Sequence, residues 1–312
     1  MHKIEIISEP LVTIGIPNYN NAEFILQAID SVLNQTYQNF ELLISDNCST
    51  DNSIEVIKKS KDDRIKFWIN DSNIGMYPNW TKLYKQARGK YFVLLQADDW
   101  LNNDFISKTV SNLEKHKADI AFVGFAYRGI KNKDILPSEI GVNKINQNLN
   151  TNDILEYFDQ PLGSFIHATT YLIRKDLIPE GYGGTKDSFF QDIVFWAKAI
   201  TFGKVIILNE ILSYQRMHLA QDRKNRKDKS TSINEVNEAL NILKSIQGMN
   251  TKINAFKRNF AGEYFLDMLL NINNPQIASK YYRNLKKNNQ FILGLLFFPS
   301  KMLKKVYKKI TK

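Results

Sequence analysis

From residue 11 to about 126, short apolar runs alternate with longer amphipathic ones. "LVTIGI" (11–16), "FELLIS" (40–45), "RIKFWI" (64–69), "YFVLLQ" (91–96) and "DIAFVGFAY" (119–127) have the length and the β-branched or aromatic content of strands. Between them, 22–35, 52–60, 76–87 and 103–116 repeat apolar positions at helical spacing. Strand and helix in alternation predict an α/β fold, a doubly wound and mostly parallel sheet with helices on both faces. Residues 128–150 are polar and weakly periodic, which predicts an exposed loop or insertion, and a less regular α+β portion follows to about 218. Three further helices are expected over 230–248, 252–271 and 275–288, ahead of a basic amphipathic tail. The expected organisation is one domain over 1–218, with parts about 10–126 and 150–218, and a helical region over 219–312.

Ligands of such sheets bind outside the carboxyl ends of the strands, so the residues after each strand carry the candidate chemistry. After the first strand Pro17 ends the run, and Asn20 or Asn21 can cap the next helix. After the second, Ser49 to Asp51 offer caps. After the third, "NDSNIGMYPNW" places Gly75 and Asn79 at a helix start, where backbone amides favour an anion. The fourth strand ends in "YFVLLQADDW", with Asp98 and Asp99 side by side. Adjacent carboxylates repel unless a positive group lies between or beside them, and a divalent cation is the usual solution. A double cap for 103–116 is the structural alternative.

Composition narrows the class. A hydrophobic content of 43% with 24% charged residues is ordinary for a folded, soluble chain of 312 residues. One cysteine, Cys48, rules out an internal disulfide framework and suits a reducing compartment. The start "MHKIEIISEP" lacks the apolar core of a signal peptide, and no apolar stretch reaches the roughly 18 residues of a membrane span. The expected location is therefore cytoplasmic. The net charge of +10 is uneven: "KMLKKVYKKITK" holds six lysines and no acid, and "RKNRKDK" (223–229) is a second cluster. An eight-residue apolar run, 291–298, precedes the basic tail, so an anionic membrane surface is the expected partner. Nucleic acid is not expected, because the tail has one aromatic, Tyr307, and no nucleic-acid motif.

As an ordered set, "TIGIPNYNNAEFILQAIDSVLNQTYQNFELLISDNCSTDNS", "NDSNIGMYPNW" and "GKYFVLLQADDWL" resemble the family 2 glycosyltransferases of the GT-A fold. The resemblance covers about 10–218. It implies that Pro17, Asn18, Tyr19 and Asn20 wrap a nucleotide base and ribose, and that Asp46 accepts from the base, commonly the N3–H of uracil. Asn73, Gly75 and Asn79 join the donor site. The family's Asp-any-Asp metal motif reads Gln96-Ala97-Asp98 here, followed by Asp99. Gln96 departs from it, since an amide oxygen can ligate but carries no charge. The resemblance makes Asp98 the Mn2+ or Mg2+ ligand and leaves Asp99 to contact the sugar or hold the loop.

An inverting transfer needs a base to take the acceptor's proton. "DSFFQDIVFWAKAI" places Gln191-Asp192 where the family has a Glu-Asp pair, which makes Asp192 the base. The bland alternative for Asp192 is an acidic residue in the first turn, favoured by the helix dipole. "LSYQRMH" matches a segment whose histidine, here His218, ligates metal or contacts the diphosphate in some members. His167 and Gln191 are weak acceptor-side candidates, and Tyr77 and Trp100 read as packing residues. The implied activity is metal-dependent, inverting transfer from a nucleoside-diphosphate sugar, UDP-linked by the carboxylate at 46, to a glycan or lipid-linked acceptor in surface polysaccharide synthesis. A silent nucleotide-sugar-binding module and a nucleotidyltransferase are the alternatives. A dinucleotide oxidoreductase is excluded by the missing Gly-x-Gly-x-x-Gly turn.

Overall fold

A computed structural model describes residues 9–129, 135–136, 169–188, 191–217, 232–245, 279 and 282–283. Within them the expected alternation forms: β1 (Val12–Asn18), α1 (Ile25–Leu33), β2 (Phe40–Asp46), α2 (Ser53–Lys59), β3 (Ile65–Ile69), α3 (Met76–Gln86) and β4 (Tyr91–Leu94). Then come the two-residue β5 (Trp100–Leu101), α4 (Phe105–His116), β6 (Ile120–Gly129), β7 (Ile135–Leu136) and β8 (Tyr171–Arg174). The last elements are α5 (Gln191–Phe202), β9 (Val205–Met217) and α6 (Ser232–Leu243). The expected helices over 252–271 and 275–288 and the basic tail lie outside the described residues, apart from helical positions at 279, 282 and 283.

The strands form one sheet in the order β3-β2-β1-β4-β8-β6-β9-β5, with β7 paired to β6. β1, β2, β3 and β4 run parallel, so their carboxyl ends share one edge. β8 is inserted antiparallel between β4 and β6. The alternation of side chains along each strand divides the core into two layers. Val12, Ile14, Ile16, Leu42, Ile44 and Val93 pack under α1, α2 and α4. Leu43, Phe92, Leu94, Phe122 and Ile173 face α3 and α5. Helices on both faces of a mostly parallel sheet are what the alternation predicted. α6 packs on α5 through Val236, Ala239, Leu240 and Leu243 against Val194 and Ala197.

Two features were not legible in the pattern. β5 is a strand because Trp100 and Leu101 pair with Tyr214 and Ser213 at the far end of β9. β9 reaches them after its register against β6 shifts around Gly124, a local irregularity that bends the strand. The long β9 thereby returns over the carboxyl end of β4.

Candidate active site

The strand order reverses at β1, which has its chain successor β2 on one side and β4 on the other. This is the switch point where open α/β sheets leave a crevice. The loops after β1 and β2 meet there. Asn18 Nδ2 donates to Asp46 Oδ2 (2.7 Å) and to Ser49 Oγ (3.2 Å). The Ser49 hydroxyl donates to Asp46 Oδ2 (2.6 Å), and its backbone N–H to Asp46 Oδ1 (2.8 Å). Asp46 is 0% exposed. Its carboxylate locks the two loops together through three accepted hydrogen bonds. Asn18 Oδ1, by contrast, is a buried acceptor with no hydrogen-bond partner among the described residues.

Asn20 and Asn21 do not cap α1, whose N-terminal boundary is Phe24 with no side-chain cap. Asn20 instead accepts from the Thr50 N–H (2.8 Å) and donates its own N–H to Ser49 Oγ (2.9 Å). Asn20 and Cys48 hold positive φ angles of 54° and 66°, conformations that non-glycine residues adopt at a cost of order ~1 kcal/mol. Local capping lost to cross-loop bonding because the β1 and β2 ends are register partners, Asn18 opposite Asp46. Tyr19 projects from this loop 45% exposed, an open aromatic face at the rim, with Pro17 half-buried behind it.

The loop after β3 is built on amides. Asn47 Oδ1 accepts from Asn70 Nδ2 and the Ile74 N–H (both 3.0 Å), while Asn73 Oδ1 accepts from Asn47 Nδ2 (3.0 Å) and the Gly75 N–H (2.9 Å). Asn79 is turned inward: its Oδ1 accepts from the Ser45 hydroxyl (2.6 Å) and Asn70 Nδ2 (3.0 Å), and its Nδ2 donates to the Ser45 carbonyl (3.0 Å). These bonds tie the start of α3 to the end of β2. Gly75 has φ +95°, and a Cβ there would lie 2.6 Å from Lys186 Cα. Only glycine fits this junction between the α3 start and the loop preceding α5. The start of α3 lies at the strand-end edge.

Asp98 and Asp99 do not cap α4, which begins behind Asp104. Asp98 is half-buried at the mouth of β4, beside half-buried Gln96 and buried Ala97. Asp99 is 8% exposed. Its Oδ1 accepts from the Arg216 N–H (3.0 Å) and its Oδ2 from the Thr169 hydroxyl (3.2 Å). Burial, and then the charge of Asp98 beside it, push its carboxyl well above the usual carboxylate range. Asp99 is thus the clasp that ties β9 to the β4 end. The Arg216 guanidinium donates to the Asp98 carbonyl (3.1 Å) and lies over the rings of Phe24 and Trp100, 4.7 and 4.9 Å from their centroids. Trp100 stacks on Tyr214 at 5.4 Å, a packing role.

Among the described residues no three His, Cys, Asp or Glu side chains form a ready metal cage. The half-buried carboxylate of Asp98, two residues beyond half-buried Gln96, still fits a hard cation that takes its remaining ligands from a diphosphate and water.

Asp192 lies in the first turn of α5 and is 6% exposed. Its Oδ1 accepts from the buried Tyr77 hydroxyl at 2.8 Å, a contact that spacing alone gave no reason to expect. The Gln191 side chain packs over Gly183 and Gly184. His167 and His218 lie outside the described residues.

The family model described as "Glycosyl transferase family 2" matches residues 13–181, more than half of the chain. An uncharacterized glycosyltransferase of Haemophilus influenzae is 32% identical over 219 residues, 67% of this chain and 66% of that protein. The UDP-Glc:alpha-D-GlcNAc-diphosphoundecaprenol beta-1,3-glucosyltransferase WfgD of Escherichia coli is 31% identical over 54% of this chain and 70% of its own length. The matched stretch spans about half of some curated relatives, 51% of a second Haemophilus influenzae protein, for example. Among solved structures, S. aureus TarS 1–349 in complex with UDP-GlcNAc superposes with a TM-score of 0.59 at 15% identity, covering 89% of this chain and 91% of that one. A mannosyltransferase of Pyrobaculum calidifontis in complex with GDP-Man and Mn2+ gives 0.59 at 14% identity, over 91% of this chain and 76% of that one. These likenesses fix the fold as GT-A.

Proposed function

The chain belongs to glycosyl transferase family 2, and from that premise we propose that it moves a sugar from a UDP-sugar to an acceptor hydroxyl with inversion. The acceptor is a glycan or a lipid-linked saccharide of surface polysaccharide synthesis. WfgD, named for a UDP-Glc donor and a diphosphoundecaprenol-linked acceptor, supports this class, as does the UDP-GlcNAc complex of TarS. The observation that carries the reading is convergence: Asp192 is bonded to Tyr77, two residues beyond Gly75, at the same edge as Asn18 and Asp98.

In this reading Tyr19 and Asn18 receive the base, and the orphaned Asn18 Oδ1 has the chemistry to accept its N–H. Gly75 and the start of α3 face the diphosphate. Asp98 would hold a Mn2+ or Mg2+ ion together with diphosphate oxygens, and that ion would offset charge building on the leaving group. Asp192 accepts the proton of the acceptor hydroxyl as its oxygen bonds to the anomeric carbon. The bond from that carbon to the diphosphate oxygen breaks on the opposite face, so the configuration inverts and no covalent enzyme intermediate forms. We place the enzyme in the cytoplasm at the inner membrane face, on the strength of the lysine-rich tail. No helix among the described residues is long and apolar enough to cross a membrane.

A thermal-shift screen of nucleotide-sugars with Mn2+ tests the reading, since a true donor stabilises by mass action. A UDP-sugar is expected to raise Tm only with the cation, and to transfer label to a hydroxyl acceptor. Stabilisation without any sugar release or transfer would reassign the chain as a binding module.

A further inference from the structure

The two halves of the site meet at a buried hydroxyl. Tyr77 is the second residue of α3, immediately beyond the Asn73–Gly75 loop on the donor side. It is 1% exposed. Its ring meets Trp80 edge-on at 5.0 Å, a contact that a phenylalanine would make equally well. The hydroxyl adds nothing to that packing, and a buried hydroxyl without a partner costs free energy. It donates to Asp192 Oδ1 at 2.8 Å. The halves also meet at a second point, where Gly75 seats against the backbone of Lys186 in the loop that leads into α5. Around these contacts Trp80, Tyr84, Tyr182 and Phe195 form a chain of ring contacts joining α3 to α5.

We propose that Tyr77 is a positioning residue for the transfer reaction, holding one oxygen of Asp192 so that the carboxylate keeps a single orientation toward the acceptor hydroxyl. This rests on Asp192 being the base. The Asn73–Gly75 loop, Tyr77 and Asp192 then form one mechanical unit, in which the element beside the diphosphate also aims the group that accepts the proton. Tyr77 touches no substrate and acts only through the carboxylate.

The test is a double-mutant cycle in the full-length protein with Tyr77→Phe, Asp192→Asn and the pair, reading kcat, donor KM and Tm. Tyr77→Phe is expected to lower kcat about tenfold with donor KM within about twofold, since misorientation of a reacting group is felt in the chemical step. In the Asp192→Asn background the same change is expected to have no further effect on kcat, because residues that act as a unit are not additive. A second tenfold loss in that background would show that Tyr77 acts independently and would overturn the proposal. So would a single variant whose kcat equals wild type, or one whose donor KM rises as kcat falls. A fully active Asp192→Asn would instead remove the base assignment, and the Tyr77 proposal with it. An inactive Asp192→Asn beside a wild-type Tyr77→Phe removes only the latter.

Discussion

Asp98 and Asp99 are neighbours of one residue type in different situations, and the difference is made by what reaches them. Asp99 is buried under β9 and held by Thr169 and the Arg216 amide, whereas Asp98 stays partly open. Asp98→Asn is therefore expected to abolish most transfer and weaken Mn2+-dependent donor binding while Tm stays near wild type, and chelator should have the same effect on the native protein. Full activity in chelator would remove the metal from the mechanism. Asp192→Asn has a separate signature. Donor affinity, measured by titration calorimetry, is expected to be unchanged, with transfer slowed at least ~10²-fold, the scale of a positioned base. Loss of donor affinity instead would move Asp192 to the donor side. The sequence motif could order these carboxylates but could not separate them by burial. The separating group, Arg216, is 117 residues from Asp99.

At the scale of elements, the strands and helices were legible because their burial repeats every two or 3.6 residues, and the four parallel strand ends followed from the alternation. The loops were legible only as places. Asn20 resembled a helix cap and is a bracket to Thr50, 30 residues on. Asp46 and Asn79, expected at the donor site, also tie neighbouring loops together. Side-chain bonds between distant loops leave no period in the sequence, so local propensity could not reveal them. Gly75 is the exception, since a glycine ahead of an amphipathic run already hints at a special backbone. Gly75→Ala places a Cβ against Lys186 at φ +95°. It is expected to cost about 1–3 kcal/mol, seen as a lower Tm, and to weaken donor binding because the α3 start must shift. An unchanged Tm would mean that the two loops do not need their close contact.

At the scale of the whole molecule, charge and chemistry are separated along the chain. The candidate site is formed by residues 17–99 and 192–216, whereas six of the +10 net charges fall in the last twelve residues, directly after an apolar run at 291–298. Eight apolar residues are too few to cross a bilayer but enough to lie in its interface. Each lysine near an anionic leaflet contributes about 1 kcal/mol at low salt. A lipid-linked acceptor would be met at that same surface, so the tail would act by raising the local acceptor concentration and leave the bond-making step untouched. Full-length protein is expected to pellet with vesicles containing anionic lipid and to be released by salt, and a version truncated after Asn289 is expected to stay in the supernatant. The truncated form should keep its activity on a water-soluble acceptor and lose it selectively on a vesicle-borne one. Equal pelleting of both forms, or pelleting that ignores anionic lipid, would leave the tail's charge without a membrane role.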